Sequence, residues 1–208
     1  MRSIVIAAVA GVGLAGVGIP LVTSCGGAAP PPPRGVIEND IDAWSFRRYQ
    51  SLLDVEVWVS DNRAVAHTAS YARKDAEKRG RLTEKDVVVA FVTSYQRDEG
   101  IEPAVVQFVR RLASESGYRV SEHEVKGVRL VEIRGTNEIW AMWPSRSHVV
   151  KIGGVGRDSI PDSFIGAYGE RYPSRLHAGA LDAPLAPLPA RASPAAEPRG
   201  KSGKAKGR

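Results

Sequence analysis

The stretch RVSEHEVKGVRLVEIRGTNEIWAMWPSRSHVVKI, residues 119–152, decides the fold. Four short runs within it have the composition and alternation of β-strands: 119–125, 128–134, 138–143 and 148–152. Short turns, such as Gly135-Thr136-Asn137, separate the runs as in an antiparallel meander. Consecutive hairpins argue against a doubly wound parallel sheet, in which helices alternate with strands.

Three earlier segments are interpreted as follows. Residues 87–95 (VVVAFVTSY) form a continuous apolar run, which predicts a strand inside its sheet. Residues 55–59 alternate as a strand with one buried face. Residues 42–53 are ambiguous, with a helix slightly preferred over a strand. Three aromatic residues of that segment are predicted to be core in either case: Trp44, Phe46 and Tyr49.

Along the chain, helices are predicted before and after the meander. Residues 64–79 carry an apolar stripe at helical spacing and are followed by Gly80, which predicts an amphipathic helix ending there. Pro103 opens a second helix that Gly117 closes, and Pro161 opens a last one. The sequence therefore predicts an α+β two-layer sandwich. Its helices pack on a mixed or antiparallel sheet with a C-terminal β-meander and a final helix.

The N-terminal segment has the pattern of a secretory signal. Residues 4–19 are an unbroken run of aliphatic and small residues after Met1 and Arg2. The following Val22-Thr23-Ser24-Cys25 resembles the lipobox of bacterial lipoproteins. That resemblance implies cleavage before Cys25, diacylation of its thiol, and a domain held outside the cytoplasm at the cell membrane or outer membrane. Two alternatives stay open: an uncleaved transmembrane helix, and an ordinary cleaved signal in which Cys25 is incidental.

Composition divides the chain into four segments. Residues 1–24 are the signal peptide, and 25–35 are a tether rich in Gly, Ala and Pro. A single α+β domain is expected over 36–176. Residues 177–208 form a Pro/Ala-rich basic tail, which is expected to be disordered because it has too few large apolar residues to bury.

The positive charge of the chain belongs to its C-terminal end. The net charge is +6, of which the last 18 residues carry +5, while residues 35–190 carry −1. The middle of the chain therefore offers no basic face for specific binding to nucleic acid. Two interpretations of the tail stay open: contact with anionic lipid, an anionic envelope polymer or an acidic partner protein, and a contribution to solubility alone.

Several catalytic chemistries lack their motifs. The one cysteine lies in the lipobox, there is no G-x-S-x-G elbow, and His123-Glu124 is not part of an H-E-x-x-H zinc motif. Glycines 153, 154 and 156 follow a strand but lack the rest of a phosphate-binding loop. No catalytic residue, metal site or cofactor is therefore predicted. If the protein is a hydrolase, the first suspects are four side chains: His67, Glu122, His123 and His148.

The most unusual local feature is Ile139-Trp140-Ala141-Met142-Trp143. On a strand, Trp140 and Trp143 point to opposite faces, so one of them is expected near the surface unless a loop covers it. Exposed tryptophan suits partner binding or stacking on a carbohydrate. We therefore expect a lipid-anchored binding or assembly module of the cell envelope, with Trp140 and Trp143 as its contact region. The alternatives are a lipid-anchored hydrolase and a protein anchored by an uncleaved helix.

Overall fold

The computed structural model describes residues 31–115 and 117–184, which form one seven-stranded antiparallel sheet with helices packed on it. In chain order the strands are β1 (Trp44–Leu52), β2 (Ala64–Arg73), β3 (Val87–Tyr95), β4 (Arg119–Val125), β5 (Val128–Arg134), β6 (Glu138–Ser145) and β7 (His148–Val155). Their spatial order is β1-β2-β3-β7-β6-β5-β4. The helices are α1 (Lys74–Lys78), α2 (Ile101–Ser114) and α3 (Asp162–Arg171), with a 3₁₀ turn at Glu84–Asp86.

Each sheet face carries a hydrophobic cluster and one of the longer helices. On the face called here the α2 face, α2 buries Val105 and Val109 against strand residues that include Val131 and Met142. On the other, the α3 face, helix α3 buries its aromatic residues against strand residues that include Ile152. The predicted α+β sandwich, with helices on an antiparallel sheet and a helix after the meander, is confirmed.

The predicted meander is present, with the first two of its strands at the expected bounds. Arg119–Val125 and Val128–Arg134 are β4 and β5, joined by a tight turn in which Lys126 and Gly127 both have positive φ. Strand β6 extends beyond the predicted end at Trp143, and β7 extends beyond Ile152. The predicted strand at 87–95 is β3, which lies inside the sheet between β2 and β7.

The structure corrects two predictions for residues 42–59. Residues 42–53 do not form the preferred helix, because Trp44–Leu52 is the edge strand β1, paired with β2. Residues 55–59 are not a strand. They form a loop that inserts Val57 and Val59 into the cluster on the α2 face, and the hydroxyl of Tyr95 fixes the loop by donating to the carbonyl of Val57 at 2.6 Å.

The long helix predicted over residues 64–79 is also wrong. Ala64–Arg73 is strand β2, and only Lys74–Lys78 is helical. Strand β2 pairs with β1 on one side and with β3 on the other, so its backbone hydrogen bonds are satisfied across the sheet. Alanine is a good helix former, but pairing on both sides and burial of Tyr71 outweigh that intrinsic preference. Gly80 has positive φ and ends the short helix as predicted.

Both ends of the described chain are fixed to the domain by side-chain contacts. At the N-terminal end, Val36 is fully buried, and the hydroxyl of Tyr172 donates to the carbonyl of Gly35. At the C-terminal end, Ala180 is buried on the α2 face, so packing continues past the boundary predicted at 176. Glu122 accepts hydrogen bonds there from the backbone of Gly179 and Leu181.

The described residues contain no helix with the length and apolar character needed to span a bilayer. The predicted signal peptide and Cys25, together with most of the predicted basic tail, lie outside the described residues.

Candidate functional site

A connected set of aromatic and charged side chains lies on the α2 face, beside the helix. We call it the Trp140 array, and its members are Glu56, Phe91, Tyr118, Glu138, Trp140 and Lys151. Five of the six come from the strands or from positions next to them, while Glu56 comes from the loop after β1. The loop and three neighbouring strands thus meet at one surface.

Strand register places the array. Trp140 on β6 and Phe91 on β3 flank β7, where Gly153 pairs with Trp140 and Lys151 pairs with Phe91. The rings of Trp140 and Phe91 meet edge-to-face, with centroids 5.7 Å apart. Gly153 allows β6 and β7 to approach, because a Cβ at this position would overlap the carbonyl oxygen of Ile139. Side chains on one face of adjacent strands interact in this way throughout antiparallel sheets.

Glu138 joins the two aromatic residues at one end of the array. Its carboxylate accepts a hydrogen bond from the indole N–H of Trp140 at 2.7 Å and one from the hydroxyl of Tyr118 at 2.8 Å. The bond from Trp140, with that from Tyr118, holds the pKa of Glu138 below its ordinary value although partial burial opposes this shift. The hydrogen bond between Tyr118 and Glu138 also raises the pKa of Tyr118. At neutral pH this end therefore carries a carboxylate beside a neutral phenol.

Lys151 occupies the middle of the array. Its Nζ atom lies 4.3 Å from the ring centroid of Trp140 and 5.3 Å from that of Phe91. Both carboxylate oxygens of Glu56 accept hydrogen bonds from Nζ, at 2.6 and 2.8 Å. The Lys151 side chain is only 15% exposed. A cation held against aromatic rings and a carboxylate restricts their motion, so the half-buried Trp140 ring is presented in a defined orientation.

A cleft of about 420 Å³ opens at the Glu138 end of the array. Its lining residues are Gly117, Tyr118, Gly135, Thr136, Asn137, Glu138 and Val155. Gly135 is needed for this shape, because a Cβ there would lie 2.8 Å from Cγ of Glu138 and 3.2 Å from the Tyr118 ring. The turn that bears Thr136 and Asn137 is closed by a hydrogen bond from the Gly135 amide to the carbonyl of Glu138, at 2.9 Å.

The two tryptophans predicted as a contact region have different environments. Trp143 points to the α3 face, is 0% exposed, and donates its indole N–H to the carbonyl of Tyr172 at 2.8 Å. It is therefore part of the hydrophobic core and does not reach the surface. Trp140 is half-buried on the opposite face, so it is the one of the two tryptophans that can make the predicted contact.

The four suspects for a hydrolase are not brought together. Glu122 and His123 are neighbours on β4 and point to opposite faces, and Glu122 is occupied by the C-terminal segment. His67 on β2 and His148 on β7 lie on the α3 face, with β3 between them. The ring of His148 packs against Tyr172, with centroids 4.9 Å apart, and burial lowers its pKa.

Three of the suspects have a serine hydroxyl near a ring nitrogen: Nε2 of His123 lies 2.9 Å from Ser121, and Nδ1 of His148 lies 3.4 Å from Ser147. His67 differs from these two because two hydroxyl groups lie near the same nitrogen. Its Nδ1 lies 2.8 Å from the hydroxyl of Tyr49 and 3.3 Å from that of Ser51. The Tyr49 ring stacks on the imidazole, with centroids 5.6 Å apart. This places a hydroxyl and a base within reach of each other, which is one element of nucleophilic catalysis.

The remaining predicted features have structural roles. Gly153 and Gly154 lie within β7 and do not form a phosphate-binding loop. Arg157, which follows them, lies over the Trp44 ring, with its guanidinium carbon 4.9 Å from the centroid. Over residues 31–115 and 117–184, no group of three or more His, Cys, Asp or Glu side chains is placed to hold a metal ion.

Comparison with other proteins gives no relative. No protein-family model, no curated protein and no solved structure matches the chain.

The sequence pointed to Trp140 but not to the rest of the array. One local signal was available, because Glu138 and Trp140 are two residues apart and so share a face of β6. The contact between Glu56 and Lys151 joins residues 95 positions apart and follows from tertiary structure alone.

Proposed function

We propose that the protein is a lipid-anchored lipoprotein of the cell envelope whose α+β domain acts by binding, with the Trp140 array as its contact surface. The observation that carries this proposal is that neighbouring side chains hold Trp140 in one orientation. Its N–H is held by Glu138, and its ring is held by Lys151 and Phe91. A partly exposed aromatic ring fixed in this way loses little conformational entropy on binding, which favours affinity.

The anchor is proposed from the N-terminal sequence. The thiol of Cys25 follows Val22-Thr23-Ser24, as in the lipobox, and acyl chains contribute about 0.8 kcal/mol of membrane affinity per buried CH₂. The mass of the mature N-terminal peptide from the membrane fraction tests this part, with Cys25→Ala as the control. We expect a peptide that starts at acylated Cys25 and is lost in the variant. An unmodified chain starting at Met1 would instead support the uncleaved helix.

The contact surface can be tested in cells with a photo-reactive amino acid at one of two valines. Val155 lines the cleft beside Glu138 and is 43% exposed, while Val65 on the α3 face is 52% exposed and serves as the matched control. We expect a discrete envelope adduct, with a protein or a polymer, from position 155 and none from position 65. Equal labelling at both positions, or no adduct at position 155, would argue against the array as the contact surface.

A lipid-anchored hydrolase is the second candidate, and the Ser51–His67 contact of 3.3 Å is the observation that favours it. In this alternative His67 would act as the base for Ser51. Purified protein should then hydrolyse a generic ester such as 4-nitrophenyl acetate, and Ser51→Ala should abolish the activity. If the variant and the wild type give the same rate, the hydrolase is excluded at this pair.

A further inference from the structure

The ligand class of the cleft follows from its lining. We propose that the cleft beside Glu138 binds a neutral saccharide, one sugar unit of an envelope glycan being seated against Tyr118 and Val155. This inference rests on the proposed function, because the cleft is the open end of the Trp140 array. Its volume of about 420 Å³ falls within the range of small-molecule sites in proteins, roughly 300–1,000 Å³.

The lining offers hydrogen-bonding groups of both polarities within a few residues. Glu138 accepts one hydrogen bond at each carboxylate oxygen, and each oxygen has capacity for a further donor. The hydroxyl of Tyr118 donates its hydrogen bond to Glu138, so its oxygen is free to accept one from a ligand. The side chains of Thr136 and Asn137 are exposed and can donate as well as accept. A polyhydroxylated molecule can satisfy all of these groups, because each hydroxyl both donates and accepts.

The apolar part of the lining fits the carbon–hydrogen face of a sugar ring. Val155 is a large apolar side chain that remains 43% exposed, and it lines the cleft together with the aromatic residue Tyr118. Sugars bind proteins through such a combination, with C–H groups on an aromatic or aliphatic surface and hydroxyls around the edge. The two glycines of the lining, Gly117 and Gly135, keep the backbone free of side chains at this point.

Charge argues against the other ligand classes. None of the described residues that line the cleft is basic, and Glu138 is ionised because the hydrogen bonds from Trp140 and Tyr118 favour the carboxylate. An anionic ligand would therefore be repelled. An organic cation would pair with Glu138 but would leave the donors of Thr136 and Asn137 unused. A neutral polyhydroxylated ligand uses the whole lining.

Calorimetric titration of the purified full chain tests the inference. The probes are two neutral oligosaccharides, N,N′-diacetylchitobiose and cellotriose, with tetramethylammonium chloride as the cationic probe. We expect saturable binding of at least one oligosaccharide, with an affinity that does not change with salt concentration, since no charge is paired. Saturable binding of tetramethylammonium that weakens with salt, with no binding of either oligosaccharide, would overturn the inference in favour of a cation site.

Three variants locate the binding. Tyr118→Phe and Asn137→Ala should each lower saccharide affinity by about 3- to 10-fold, the effect of one neutral hydrogen bond. Gly135→Ala should lower it further, because the added Cβ displaces both Glu138 and Tyr118. Asn39→Ala, an exposed asparagine outside the cleft lining, is the matched control and should bind normally.

Two outcomes would contradict the inference while leaving the proposed function intact. One is saccharide binding that none of the three variants changes, which would place the ligand elsewhere. The other is the absence of binding for all three probes. In either case the photo-adduct at Val155 and the acylated Cys25 peptide test the proposed function separately, and a protein adduct at Val155 would identify a protein partner in place of a glycan.

Discussion

Replacing each tryptophan of β6 by phenylalanine separates the core role of Trp143 from the surface role of Trp140. Trp143→Phe removes a fully buried indole whose N–H is bonded to the carbonyl of Tyr172 at 2.8 Å. Loss of that donor costs about 1–3 kcal/mol, because the carbonyl is left without its partner. The missing ring atoms add about 1–2 kcal/mol, since a full truncation of a core aromatic residue costs about 3–5 kcal/mol. We therefore expect a loss of roughly 2–5 kcal/mol of unfolding free energy.

Trp140→Phe should have a smaller effect on stability. The ring is half-buried, and the main loss is one hydrogen bond to the Glu138 carboxylate, which falls near the lower limit of about 1.5–3 kcal/mol because the contact is partly open to water. Urea denaturation monitored by circular dichroism measures both variants against the wild type. For a domain of this size about 2–4 °C of Tm corresponds to 1 kcal/mol, so thermal melts should rank the variants in the same order. Equal destabilisation by the two substitutions, or a larger effect at Trp140, would refute the assignment of one residue to the core and the other to the surface.

Three further substitutions test the packing of the fold. Burial lowers the pKa of His148 from about 6.5, so the folded state favours the neutral ring. The contribution of His148 to the unfolding free energy should be fully present above that pH and should fall as the pH drops through it. His148→Gln should therefore flatten the change in urea midpoint between about pH 7 and 5. An unchanged slope would contradict this. Gly153→Ala places a Cβ against the backbone of Ile139 and should lower the urea midpoint by the equivalent of about 3 kcal/mol, whereas an unaltered midpoint would show that β6 and β7 tolerate the side chain. Tyr168→Phe removes the hydroxyl that accepts the Ile37 amide at 3.1 Å, so limited proteolysis should cleave faster near residue 37; wild-type cleavage rates would disprove this attachment.

The second half of the fold was predictable because its contacts are local. Strands β4 and β5 are joined by the two-residue turn Lys126-Gly127, and their alternation of apolar and polar residues marks the buried faces. A pattern that depends on neighbours in sequence can be interpreted without knowing the rest of the molecule. The same holds for α2, which begins at Ile101, close to the predicted start at Pro103.

Residues 42–79 were misassigned because their structure depends on partners distant in sequence. Residues 64–73 contain four alanines and satisfy the spacing of a helix as well as that of a strand. Pairing with β1 and β3 resolves that ambiguity, and neither strand is visible in the sequence of β2 itself. Residues 55–59 alternate for a different reason, because the loop uses Val57 and Val59 to fill the cluster on the α2 face.

The site shows the same division between local and distant information. The contact role of Trp140 was predicted from the aromatic composition of residues 139–143 and from the rule that strand residues alternate between faces. That rule could not tell which face is open, and the structure places Trp143 in the core. Glu56, Phe91 and Lys151 come from three separate parts of the chain, so their meeting at Trp140 could not be predicted.

The most direct test of the binding role is the yield of the photo-adduct at position 155 when Trp140 is replaced by phenylalanine. Trp140→Phe removes the indole that Glu138 and Lys151 hold, while most of the stability of the domain is retained. If the Trp140 array is the contact surface, the yield in intact cells should fall to the background measured at position 65. If the Trp140→Phe variant is folded and gives the same adduct yield as the protein that retains Trp140, the account is contradicted.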